Sequence, residues 1–202
     1  NGTFISQRGL VETATAGVPR FDYANNVCQG IIIEDQRTNY VTYSNDFTYS
    51  SWAKNGANIT INRAATMAPD GSMSADIITA PGSGAGIYRF IGGLSNNTIY
   101  TTSVYVKNIS GMTTVSVGSD VNPTGGFVIF NFSTGAISSV GGSVTLSRAD
   151  LIGNGWYRVA CSFTSTSASP SFIIYPGQAG QYAVWGAQME VNYAATSYIP
   201  ST

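Results

Sequence analysis

Along most of the chain, apolar and polar residues alternate with a period of two, the signature of strands with one buried face. In "NTIYTTSVYVKNIS" (97–110) this places Tyr100, Thr102, Val104 and Val106 on one side and Ser103, Tyr105 and Lys107 on the other. "GWYRVACSFTS" (155–165) sets Tyr157, Val159, Cys161 and Phe163 against Trp156, Arg158, Ala160 and Ser162. A constant period through "QYAVWGAQMEV" (181–191) groups Ala183, Trp185, Ala187, Met189 and Val191, with Tyr182, Val184, Gln188 and Glu190 opposite. "GFVIFNFSTGAIS" (126–138) reads as strand, Ser-Thr-Gly turn and returning strand, and "PSFIIYPG" (170–177) as a short apolar strand stopped by Pro-Gly. Turn signals such as "APDG", "GGLSNN" and "GNG" recur between these runs, and no long amphipathic helix competes with them. The pattern predicts an all-β, two-sheet antiparallel β-sandwich of jelly-roll topology, its core running from about Thr38 to Val191.

The first 37 residues have mixed polarity, a Val-Pro break at Pro19 and no sustained alternation before Gly30. They read as an extended N-terminal arm or connecting segment (1–37) leading into the sandwich (38–202). The passage Gly30–Phe47 begins with the apolar run Ile31, Ile32 and Ile33, expected to be a buried anchor. It then gathers Glu34, Asp35, Arg37 and Asp46 in a chain with only 9% charged residues. Glu34 and Asp35 are adjacent, so on a strand they point to opposite faces and cannot serve as a catalytic pair. The three charges Glu34, Asp35 and Arg37 are therefore read as a structural joint where the arm enters the sandwich. Arg37 is expected to pair with a carboxylate or with carbonyl oxygens, so that Arg37→Ala costs assembly or stability.

Composition narrows the function. At 202 residues the chain is long enough to bury a proper core, and it carries a net charge of −1. No concentrated basic surface is available for phosphates, which argues against nucleic acid, and no apolar run reaches membrane-spanning length. The start at Asn1 suggests a processed product or part of something longer. Histidine is absent, which removes Ser-His-Asp and Cys-His catalysis and imidazole zinc sites together. Cys28 and Cys161 are far apart; they are read as small hydrophobes in preference to a disulfide. A glycosidase needs two carboxyls at a fixed separation, and no local pattern supplies them. The reading is non-enzymatic.

Several motifs carry a family resemblance. "GVPRFDYANNVCQGIIIEDQRTNYVTYSNDF…W" (17–52), "APDGSMSADIIT" (68–79), "YTTSVYVKNISG" (100–111), "GNGWYRVACSFT" (153–164), "VWGAQMEV" (184–191) and "ATSYIPST" (195–202) occur in this order. Together they resemble a family of bacteriophage virion proteins, especially tail-fibre and other appendage subunits and head-decoration proteins. Tyr40-Val41 stands where that pattern has Leu-Leu, and neutral Asn25 where many relatives have Asp-Pro. The resemblance implies a lectin-like or carbohydrate-binding-module-like jelly roll on the surface of a phage particle. By the same token it implies other virion proteins as partners, a homotrimer, and a host-surface glycan as ligand.

A glycan is held by stacking its apolar faces on aromatic rings while polar side chains read its hydroxyls. On the strands above, Tyr105, Lys107, Trp156, Arg158, Tyr182 and Gln188 are the candidate glycan-binding residues, provided these strands share one sheet. Tyr88, Arg89 and Phe90 form a second candidate group. Trp185 is expected in the core and Trp156 half-buried. Jelly rolls of this kind often carry a structural Ca²⁺ on oxygen ligands, for which Asp46 and Glu190 are the candidates here. No other cofactor is expected. The rival reading, a capsid decoration or connector protein, docks the arm on another virion protein through Phe4, Ile5, Leu10, Val11, Val18 and Phe21.

Overall fold

The computed structural model of the protein describes residues 2–119 and 126–202. Sixteen strands and no helix occur among these residues. The arm holds β1 (Gly2–Ile5), β2 (Val11–Ala14), β3 (Phe21–Ala24) and β4 (Val27–Ile31). The sandwich adds β5 (Ala53–Lys54), β6 (Thr60–Thr66), β7 (Ala75–Ala80), β8 (Ile87–Phe90), β9 (Thr98–Ser110) and β10 (Thr114–Gly118). It is completed by β11 (Gly126–Asn131), β12 (Ala136–Gly142), β13 (Val144–Gly153), β14 (Trp156–Ser165), β15 (Ser171–Pro176) and β16 (Gly180–Val191).

Two six-stranded antiparallel sheets pack face to face, one ordered β12-β11-β10-β15-β8-β5 and the other β13-β14-β9-β16-β7-β6. Alternation explains the core between them. Tyr100, Val104 and Val106 of β9 and Val159, Cys161 and Phe163 of β14 meet Val115, Val117, Val128, Phe130, Phe172 and Ile174 from the first sheet. The cluster between the sheets runs from Val41 to Met189. The β13–β14 turn is Asn154-Gly155, with φ of 51° and 77°, the left-handed pair that a tight two-residue hairpin demands.

In β16 the constant period fails. Tyr182 and Val184 face the core, Ala183 and Trp185 face outward, and then Ala187 and Met189 face the core again. The pairing with β9 slips between Trp185 and Gln188 because Gly186 forms a bulge at φ 63°. A Cβ on Gly186 would lie 2.9 Å from the Tyr105 ring, so only glycine fits. The freed amides are not orphaned. Gly186 N–H donates to Asn45 Oδ1 (2.9 Å) and Ala187 N–H to the Ser44 carbonyl (2.9 Å). Buried Asn39 stitches the same region: its Nδ2 donates to the Ala187 and Ile199 carbonyls, and its Oδ1 accepts the Val41 and Met189 amides. Within "QRTNYV", then, the anchoring polar residue is Asn39.

The arm folds into two ribbons, β1–β2 and β3–β4. The β3–β4 turn is Asn25-Asn26, both left-handed at φ 49° and 67°, a conformation asparagine tolerates better than most residues. Val11 of β2 lies over the outer side of the second sheet and joins Tyr105, Trp156, Ala183, Trp185 and Tyr198 in a second hydrophobic cluster. The isoleucine run is the reverse of a buried anchor: Ile31 is 53% and Ile33 88% exposed. A two-stranded ribbon has no second layer of its own, so β4 stays largely open, with Val27, Cys28, Gln29 and Ile31 all exposed.

Candidate functional site

The outward residues of the second sheet form a regular lattice across its strands. Asp150, Arg158, Tyr105 and Trp185 lie in one row; Arg148, Ala160, Ser103 and Gln188 in the next; Leu146, Ser162, Thr101 and Glu190 in the third. This face was expected to be open, but the chain's own arm and C-terminal tail cover much of it. Trp156 is fully buried rather than half-buried, because Val11 and Ala68 pack in its cluster and its indole N–H donates to the Met67 carbonyl (3.1 Å). Trp185 is buried as expected, but in this outer cluster rather than between the sheets. Gln188 is buried beneath the tail, its Oε1 accepting the Ile199 amide and its Nε2 donating to Glu190. Tyr182 lies on the opposite face, between the sheets, because the Gly186 bulge shifts the phase of β16. Lys107 is half-buried beside the Gly155 turn.

Tyr105 and Arg158 are brought together in a cleft of about 680 Å³ between the arm and this sheet. Its floor includes Arg158, Ala160, Ser162 and Thr101; its roof includes Phe4, Tyr23, Ile32 and Glu34; residues 194–198 of the tail close one end. Arg158 donates to the Thr196 carbonyl (2.7 Å) and to Ser103 Oγ (3.0 Å), and its guanidinium carbon sits 5.4 Å from the Tyr105 ring centre. Tyr105 is only 1% exposed, so its ring supports Arg158 but offers no face for a sugar to stack on.

The roof is held by a polar joint that differs from the expected one. Arg20 Nη1 lies 2.7 Å from Glu34 Oε1 and 2.9 Å from the Thr3 carbonyl. Ser197 donates its amide to Glu34 Oε2 (2.9 Å) and its hydroxyl to Oε1. Burial pushes the Glu34 carboxyl up, but the hydrogen bonds from Ser197 and Arg20 outweigh it and hold it below the usual carboxylate range. Among the described residues Arg37 pairs only with Asp35, two residues away, at 3.1 Å, with the Asp35 side chain 80% exposed. Glu34 thus belongs to the joint that ties arm to tail, while Asp35 and Arg37 make a local surface pair.

The two calcium candidates are occupied by different partners. Asp46 accepts from the Thr48 amide and hydroxyl and pairs with Arg63 at 3.2 Å. Glu190 is buried and accepts from Gln188, the Thr196 amide and the Thr196 hydroxyl. Among the described residues no group of three or more Asp, Glu or Cys gathers to hold a metal ion. The cysteines do not pair: Cys28 is exposed, and Cys161 is buried, with its thiol pushed up to about 12 by burial.

The first sheet presents a different outer surface. Tyr88 and Phe90 point outward from β8, their rings 5.5 Å apart and nearly perpendicular. Arg89 points the other way, donating to the carbonyl and hydroxyl of Thr42. Tyr88 lies opposite Ile173, Ile173 opposite Gly118, and Gly118 opposite Phe127, a single row across four strands. The neighbouring row runs Tyr175, Ser116, Ile129, Ser139. Phe127 reaches across Gly141, where a Cβ would meet its ring at 2.6 Å. None of the outward positions on these six strands, among the described residues, carries Asp, Glu, Lys or Arg. Phe127, Ile129 and Tyr175 were not among the candidates, although the alternation in "GFVIFNF" already sets Phe127 and Ile129 opposite the core-facing Val128 and Phe130.

No protein-family model matches the sequence, and neither does any curated protein. Solved structures do match. A CBM22-1 xylan-binding domain of Paenibacillus barcinonensis Xyn10C, 13% identical, superposes over 81% of this chain and 100% of its own at a TM-score of 0.53. The fold is that of a carbohydrate-binding-module jelly roll. The CBM22-1–GH10 modules of a Clostridium thermocellum xylanase match over 72% of this chain at 15% identity and a TM-score of 0.47; this chain spans 28% of their length. The enzymatically active domain of tailspike protein 4 of bacteriophage CBA120 matches over 75% of this chain and 21% of its own, at 12% identity and a TM-score of 0.46. On this jelly roll the arm and the tail lie on one sheet, and the aromatic face belongs to the other.

Proposed function

We propose that the protein is a non-catalytic glycan-binding subunit of a phage appendage such as a tail fibre, assembled as a homo-oligomer on the particle surface. It grips a host-surface glycan on the outward face of its first sheet. The observation that carries this reading is the uncharged face on which Tyr88, Phe90, Phe127 and Tyr175 are interleaved with Ser116 and Ser139. Rings receive the apolar faces of sugars and hydroxyls receive their polar edges, and neither needs a charged partner. The resemblance of the sequence motifs supports the virion setting, and the lack of histidine supports a role without catalysis. A glycan array probed with the assembled oligomer tests it. Tyr88→Ala with Phe90→Ala should weaken any hit by about tenfold or more at unchanged stability. A wild-type oligomer that captures no glycan, or a double variant that binds as well as wild type, refutes the reading.

A second reading, a decoration or connector protein docked through the arm, is favoured by one observation. The β3–β4 ribbon and its flanks expose Val18, Phe21, Val27, Ile31 and Ile33, while Val11 and Ile5 of the same arm pack on their own sandwich. Exposed apolar residues this dense mark a contact surface. Ile33→Asp with Val27→Asp should then abolish incorporation into particles without unfolding the subunit. Normal incorporation of that variant sinks the docking role.

A further inference from the structure

The roofed cleft on the second sheet is a separate site, and its charges are unevenly matched. Arg148 pairs with Asp150 at 2.6 Å, and Arg20, behind the roof, pairs with Glu34. Asp22 accepts the Ile5 amide at 2.8 Å. Arg158 is different: among the described residues it has no carboxylate within salt-bridge distance, and its buried Nε has no acceptor. Two of its five N–H groups are used by Thr196 and Ser103. The Nε–H is enclosed by protein, so the second N–H of Nη1 and of Nη2 is what is left for a ligand, at a fork held over Tyr105 in a cavity of about 680 Å³. A half-buried guanidinium with an unpaired edge is matched by a planar anion that can take two parallel hydrogen bonds.

We infer that this cleft binds a carboxylate-bearing sugar, a uronate residue of an acidic polysaccharide, with its carboxylate on Arg158. The acidic sugar suits the rest of the lining as well. Its hydroxyls are donors for Asp22, which has no salt-bridge partner among the described residues, and partners for Gln29; Arg148 with Asp150 and Arg20 with Glu34 cancel in pairs, so a second anionic group finds no place. The site does not depend on the aromatic face of the first sheet, and the two can fail separately.

Calorimetric titration of the assembled protein with a galacturonate trisaccharide and with the galactose trisaccharide of the same linkage tests the assignment. The acidic ligand should bind roughly tenfold to a hundredfold more tightly, the worth of one charge-assisted fork. Arg158→Lys should lose most of that preference and Arg158→Gln all of it, with melting temperature monitored because Arg158 also holds the tail. Ala160→Leu, which fills the floor and leaves Arg158 and the tail in place, should block the acidic ligand in a protein that folds normally. The Tyr88→Ala, Phe90→Ala protein should bind it like wild type. Equal affinity for the two trisaccharides overturns the inference, as does undiminished binding in the Ala160→Leu protein or loss confined to the Tyr88/Phe90 variant.

Discussion

The two sheets of this sandwich turn outer faces to their surroundings that were built by the same alternation and ended in opposite conditions. On the first sheet the outward rings of Tyr88 and Phe90 remain accessible, Phe90 at 66%, and no charge interrupts them. On the second sheet the outward Trp156 and Trp185 are buried under the arm, the tail and the loop at Ala68, at 2% and 3% exposure. Around them stand Arg148, Asp150, Arg158 and Glu34. A period of two states which residues leave the core, and says nothing about what covers them afterwards. Aromatic residues on an outward face are therefore equally compatible with a ligand platform and with a second core.

Truncating a ring on each face should separate these roles most sharply. Trp185→Ala removes a buried indole that packs against Tyr105 and Tyr198 at ring separations of 5.3 and 4.6 Å. It is expected to cost about 3–5 kcal/mol in urea denaturation. Phe90→Ala on the open face should cost less than about 1 kcal/mol, as for other exposed substitutions. Comparable losses at the two positions would mean that the first sheet is also covered, and would remove the platform.

Much of this contrast was legible before the fold, and the failures have identifiable causes. The strands, the two-sheet core and the inward sets of β9 and β14 follow from alternation. The phase reversal in β16 does not, because Gly186 in "VWGAQ" looks like any small residue until Asn45, Ser44 and Tyr105 are seen to close on it. For the same reason Tyr182 was placed on the wrong face. The condition that the strands of Tyr105 and Arg158 share one sheet is met, and the two residues lie directly opposite because β9 and β14 are neighbours. Their cover was not foreseen, because it comes from residues nearly a hundred positions earlier and from the tail. Likewise the row Tyr88–Ile173–Gly118–Phe127 joins strands far apart in sequence, and no local pattern records their register.

The cover itself can be loosened. Arg20→Ala removes the partner of Glu34 and a donor to the Thr3 carbonyl at a joint about one-fifth exposed. It should free the arm at a cost of about 1–3 kcal/mol, read as faster hydrogen exchange in residues 2–34 with the sandwich core unchanged. Acid should act on the same joint. Glu34 is held below its ordinary value of 4.5 in the folded state, so its contribution is complete above 4.5 and is lost as pH falls through the lower folded value. Exchange in the arm should rise in that window before the core opens, and Glu34→Gln should abolish the pH dependence. An arm whose protection is flat between neutral pH and the onset of global unfolding would show that apolar contacts through Val11 hold it alone.

Arg37→Ala should give the smallest effect, and it decides which charges of the 34–37 stretch do structural work. Its partner Asp35 lies two residues away on the surface, the pair spans no two elements, and exposed pairs of this kind contribute between nothing and about 1 kcal/mol. The expected loss is below about 0.5 kcal/mol, with arm exchange unaltered, in contrast to Arg20→Ala. A larger loss has a specific meaning, because Arg37 Nε is buried without an acceptor in the subunit. If Arg37→Ala leaves the isolated subunit intact and still prevents particle incorporation, that N–H is matched across an interface, and the stretch joins the exposed ribbon as part of a docking surface.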